Sequence, residues 1–151
     1  MGLISLQVGN TSEFVKQIRA FTDTVDRLAV RKTITVTKAI FTKLVGYTPV
    51  RTGRARASWR IGVHTRDLTT EPPINPSAES GDPAVRAAAT AVAMRQFSKL
   101  NKFTLQGGTR IYITNRVPYI ADLDRGTSTQ APNGMTALAL TEVSALVKSL
   151  R

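Results

Sequence analysis

The chain has 151 residues, enough for one domain (1–151) around a single modest core. It contains no cysteine, which removes disulfide staples and thiolate metal sites, and no run approaches the roughly 18 apolar residues of a membrane-spanning helix. The formal charge of +11 is unevenly spread: ten basic residues lie between Arg27 and Arg66 with no Asp or Glu among them, a field that attracts phosphate backbones, anionic membranes or acidic protein surfaces.

The first residues lack the basic region and long apolar stretch of a signal peptide, and Leu6 stands where a myristoylation signal requires Ser or Thr. The lack of cysteine fits synthesis in the cytoplasm, and equally any protein that must stay indifferent to redox conditions. Residues 4–8 alternate in polarity and could supply a strand. Thr11 and Ser12 then offer an N-cap, and no Gly or Pro follows until Gly46. Within that window Phe14, Ile18, Phe21, Val25 and Leu28 recur at spacings of three and four, and Val36, Ile40 and Leu44 return to roughly the same face. The pattern predicts one helix about 50 Å long at 1.5 Å per residue. Lys32 interrupts the stripe and Thr33 to Thr37 alternate like a strand, so 32–37 could be irregular. No turn residues flank that stretch, however, and one long helix is favoured. So long a helix overhangs so small a domain. It is either a buried spine or a lever that packs against another copy.

Thr48-Pro49 closes this element, and Thr52-Gly53 opens a short turn or helix. Ser58 to Val63 reads as a strand with Trp59, Ile61 and Val63 on one face and Ser58, Arg60 and Gly62 on the other. Trp59, the single tryptophan, belongs in the core or at a subunit interface. The stretch 69–83 holds four prolines and reads as a loop, an exposed arm that orders when neighbours are present. Asp82 and Pro83 begin an Ala-rich helix to about Leu100, with Val85, Ala88, Ala89 and Val92 as its close-packing face.

Gln106-Gly107-Gly108 breaks the chain before a strand at 109–114, and residues 102–105 could add another strand. Asn115 and Pro118-Tyr119 shape a turn into a short amphipathic piece. Gly126 supplies a positive φ where that piece stops, and 127–132 runs on as an extended polar loop. Asn133 caps a C-terminal helix whose apolar positions are Met135, Leu138, Ala139, Val143, Leu146 and Leu150. The order predicts an α+β fold, a long N-terminal helix packed on a small antiparallel sheet, with further helices including a C-terminal one.

Little in this chain has the pattern of catalysis. His64 is the single histidine, so no His cluster exists for a metal, and no Gly-x-Ser-x-Gly elbow presents a nucleophile. Asp122 and Asp124, two apart on a short helix, diverge by about 200° rather than converging on a cation or a shared proton, and Arg125 competes as a partner. Gly107-Gly108 and Gly126-Thr127-Ser128 lack the spacing of a phosphate-binding loop. The segment Arg51 to Arg60 combines guanidinium groups with Trp59, as nucleic-acid contacts do, yet shows no helix-turn-helix, zinc-finger or RNA-recognition pattern. These readings predict a non-enzyme without cofactor or metal.

Two blocks carry a resemblance. Thr48-Pro49-Val50-Arg51-Thr52-Gly53 with Ser58-Trp59, and the order Asn115, Pro118-Tyr119, Gly126-Thr127-Ser128, Ala131-Pro132, resemble the bacteriophage HK97 gp10-like family of tail components. The long helix before them and the closing helix after them are similar to that family too. Asp124 departs from it, since a glutamate more often precedes the glycine there. The resemblance implies a virion protein of a long-tailed phage, made in the host cytoplasm. Its role would be tail completion or neck formation, with copies in a ring between the head connector and the tail-tube or tail-terminator proteins. A tail terminator or other neck ring protein, or a small basic protein binding nucleic acid without sequence preference, are the alternatives. On this view Arg51, Arg54, Arg56, Trp59 and Arg60 on the basic side, and Tyr119, Asp122, Asp124 and Arg125 on the other, are candidates for a subunit interface or a DNA channel. The acidic pair would then meet the basic stretch of the next subunit.

Overall fold

The computed structural model describes residues 11–105 and 109–150, so the alternating stretch 4–8 and the Gly107-Gly108 break lie outside the described residues. Helix α1 runs from Thr11 to Tyr47 as one piece. The favoured single helix holds through 32–37, for two local reasons. Thr35 turns its hydroxyl back to Arg31 O at 2.9 Å, the bond that lets a β-branched threonine sit inside a helix. Ile34 and the buried Thr37 meanwhile face the body, so packing overrides the local alternation. Lys32 leaves the stripe and donates its ammonium to Leu150 O.

Beyond α1 come α2 (Arg54–Ala57), β1 (Arg60–Val63), α3 (Pro83–Met94), a 3-10 helix (Arg95–Lys102), β2 (Ile111–Thr114), α4 (Ile120–Asp124) and α5 (Thr136–Ser149). The strands pair antiparallel, Arg60 opposite Thr114 and Val63 opposite Ile111. A two-stranded ribbon is marginal in water, and this one persists because its surroundings cover it. Phe41, Leu44 and Val45 of α1 form the core with Trp59, Ile61, Ala93, Leu100, Met135 and Ala139, and Phe97 meets Phe41 edge-on at 5.5 Å. Gln96 accepts from Ile61 N at 3.4 Å, occupying an outward donor of β1. Both faces of β1 are buried, Arg60 included, and only Val63 at its end is half-buried. Residues 103–105 form no strand; Phe103 tucks into the interior instead.

The loop 69–83 is a strap rather than an arm awaiting neighbours. Glu71 N bonds Ser58 Oγ at 2.9 Å, Ile74 N bonds Thr52 O at 2.8 Å, and Gly81 N bonds Val50 O at 2.7 Å. The strap crosses Gly53, whose φ is +80° and where an added Cβ would lie 2.8 Å from Ile74 Cγ1. Asp82 caps α3 as expected, accepting from Ala84 N and Val85 N at 2.8 and 3.2 Å. The buried face of α3 is Val85, Ala89 and Ala93, with Ala88 exposed and Val92 half-buried.

Residues 127–132 also differ from the extended loop expected. Thr127 folds back onto Asp122 O through both its amide and its hydroxyl, and Ala131 enters the core. Helix α5 then lies along α1, where Glu142 receives the Lys43 ammonium at 2.5 Å and the Tyr47 hydroxyl. Those two hydrogen bonds hold the Glu142 carboxyl below the usual range.

Candidate functional site

Every residue from Ser12 to Leu28 is exposed, so this half of α1 projects beyond the body. Its apolar stripe stands in solvent, with Phe21 68% exposed and Phe14, Ile18, Val25 and Leu28 each about half exposed. Full burial of such side chains is worth about 1.5–3 kcal/mol each, so the stripe holds a large unspent driving force for association. The spine reading therefore fails for this half and holds only from about Ile34 onward.

The arginine segment separates into internal and external parts. Arg56 is buried at the end of α1, where its guanidinium bonds Thr48 O through Nε and Nη2 at 3.0 and 2.7 Å and Gly46 O through Nη2 at 2.8 Å. The last turn of α1 contains no basic side chain of its own, so Arg56 satisfies its orphan carbonyls from outside the helix. Burial first, and then the Arg86 charge, pull Arg56 down to about 10, which leaves it charged at neutral pH. Arg60 is buried as well, bonding Ala57 O at 2.9 Å and pairing with Glu71 at 2.7 Å. Trp59 lies in the core and donates its indole N–H to Thr48 Oγ1 at 2.7 Å. Arg56, Trp59 and Arg60 are thus turned inward and bonded within their own chain. For Arg56 the deciding bonds go to backbone carbonyls eight and ten residues away, of which sequence spacing carries no sign.

Arg51 and Arg54 behave otherwise. They line a cleft of about 680 Å³ with Pro49, Tyr119, Leu123 and Thr127 to Gln130. The two sequence blocks meet here. Asn115 Nδ2 donates to Ala55 O at 2.8 Å, while the Gln130 amide accepts from Val50 N at 3.1 Å and donates to Val50 O at 3.0 Å. Gln130, which sequence reasoning passed over, is thereby the latch between the blocks and also reaches Ser80 Oγ at 2.8 Å.

The acidic pair is divided. Asp122 is exposed and pairs with Arg125 on the same helix turn. Asp124 points inward and caps α5, accepting from Met135 N and Thr136 N at 2.9 and 2.8 Å. Burial raises its pKa, but these backbone donors outweigh burial and hold the carboxyl below its ordinary value. The expected Asn133 cap is replaced by this carboxylate from another element, because the chain turns at Gly134 (φ +75°) and brings the helix start back to α4. Asp124 is thereby committed within its own subunit, which leaves Asp122 as the surface acid.

His64 is exposed at the end of β1 with φ +69°. Among the described residues no group of three or more His, Cys, Asp or Glu is placed to hold a metal, and no helix is long and apolar enough to cross a membrane. Comparison of the chain with protein-family models, with curated proteins and with solved structures finds no match.

Proposed function

We propose that this chain is a structural virion protein of a long-tailed bacteriophage, a tail completion or neck ring protein that joins the tail to the head connector. One observation carries the reading: the two blocks that resemble the HK97 gp10-like tail components, distant in sequence, fold against each other around one cleft, latched by Asn115 and Gln130. Arg51, Arg54 and Tyr119 edge that cleft, and it is the surface proposed to receive a neighbouring ring subunit or a tail protein. The mechanism is geometric rather than chemical. A ring of copies seats on the tail end, and the closed ring offers the head connector one complementary face.

Imaging of particles from a phage lacking this gene tests the proposal. Unjoined heads and tails are expected, with tails of normal length; joined, infectious virions would overturn it. Tails of uncontrolled length would instead assign the chain as a tail terminator. A second reading, non-specific nucleic-acid binding, draws on the exposed Arg27, Arg31, Lys38 and Arg51. It predicts an affinity that falls steeply as salt rises, because each phosphate contact releases counterions.

A further inference from the structure

The exposed stripe of α1 has a more definite geometry than a generic apolar patch. Phe14, Ile18, Phe21, Val25 and Leu28 alternate steps of four and three, the 3.5-residue repeat of a helix-to-helix seam. The positions flanking the seam, Gln17, Thr22 and Thr24, carry no charge, and Thr22 and Thr24 bond their hydroxyls to Ile18 O and Ala20 O at 3.0 and 2.8 Å. Lys16, Arg19, Asp23, Asp26 and Arg27 all lie about 100° or more around the helix from the centre of the stripe. Five apolar layers with neutral margins match a second helix of the same kind, with no charge to repel it.

We propose that this seam pairs with the same seam of a second copy of the chain, antiparallel and centred on Phe21. Charge fixes the direction. Lys32, the next position along the stripe, is held by Leu150 O of its own chain and marks where the seam ends. Parallel pairing would hold two bodies of net charge +11 side by side. Antiparallel pairing sends the bodies to opposite ends. It places Phe21 against Phe21 on the two-fold axis, Ile18 near Val25 of the second copy and Phe14 near its Leu28. The contact is isologous and closes at two chains, so it supplies a pair from which a larger assembly can be built. It rests on α1 alone and holds whether or not the virion reading does.

Light scattering on the purified protein should give an even number of chains, in the simplest case twice the 16.4 kDa chain mass. Phe21→Glu should reduce that mass by half or more, and the body should remain folded by circular dichroism because Phe21 touches none of it. The absence of native cysteine makes disulfide trapping clean. Phe14→Cys with Leu28→Cys should bridge two chains, whereas Leu28→Cys alone should not. A wild-type monomer at all concentrations would overturn the proposal, including one that dimerises only after removal of residues 1–10. So would an assembly unchanged in mass by Phe21→Glu, or efficient bridging by Leu28→Cys alone.

Discussion

Arg56 closes the end of α1 by donating two hydrogen bonds to the carbonyl of Thr48, at 3.0 and 2.7 Å, from a helix that begins six residues later in the chain. Thr48 in turn bonds Leu44 O and receives the Trp59 indole through its hydroxyl, so one small residue joins α1, α2 and the residue that leads into β1.

Arg56→Met should therefore destabilise the fold by about 3 kcal/mol, because it strands carbonyls that are closed to water. Arg56→Lys should recover less than half of the loss, since an ammonium lacks the planar fork that reaches both Thr48 and Gly46. Urea unfolding midpoints measure both, and a loss under 1 kcal/mol in Arg56→Met would refute this role.

Asp124→Ala should cost about 1–2 kcal/mol through loss of the α5 cap, and Asp124→Asn, which keeps an acceptor, clearly less. The cap is internal to one subunit, so the loss should appear equally in dilute, monomeric Phe21→Glu protein. Thermal melts of the single and combined variants would show it.

Asp67 gives the acid limb of stability. Burial acts to raise its pKa, but hydrogen bonds from Lys99 (2.5 Å) and Thr69 prevail and hold it at about 2, below the ordinary 3.8. A carboxyl depressed on folding stabilises above its unfolded value, and that contribution disappears as pH falls from 3.8 towards 2. Allowing for solvent screening, about 1 kcal/mol is at stake. Asp67→Asn should flatten the stability profile across that window, as unfolding at pH 5 and pH 2.5 would reveal.

Gly53→Ala combines left-handed strain with collision against Ile74 and should cost about 2 kcal/mol. Trimming Ile74 to Ala in the same chain should return part of that loss. A double-mutant cycle reads the coupling, and strict additivity would mean that the strap does not press on this turn.

Much of the fold was legible because its signals are local. Apolar recurrence marked α1 and α5, Asp82-Pro83 marked the start of α3, and the breaks at Thr48-Pro49 and Gly126 fell where the chain turns. The arginines were not legible, since a guanidinium bound to carbonyls reads in sequence like one in solvent. Asp124 was hidden for a similar reason: its partners, Met135 and Thr136, are eleven and twelve residues away across a turn. The stripe of Phe14 to Leu28 was visible from spacing, but spacing is identical whether the covering surface is the chain's own body or another helix. Only the end of the packed region near Ile34 separates the two.

Helix α1 passes from its projecting half into the body without a break. Each residue in that passage turns the projecting half by about 100° and advances it by about 1.5 Å. One residue inserted between Leu28 and Ile34 would swing the stripe by more than a quarter-turn while barely altering its reach. Seven inserted residues would bring it back within about 20° of its original bearing. The unbroken winding thus converts a count of residues into a compass direction, and that direction sets the side from which a neighbour must arrive.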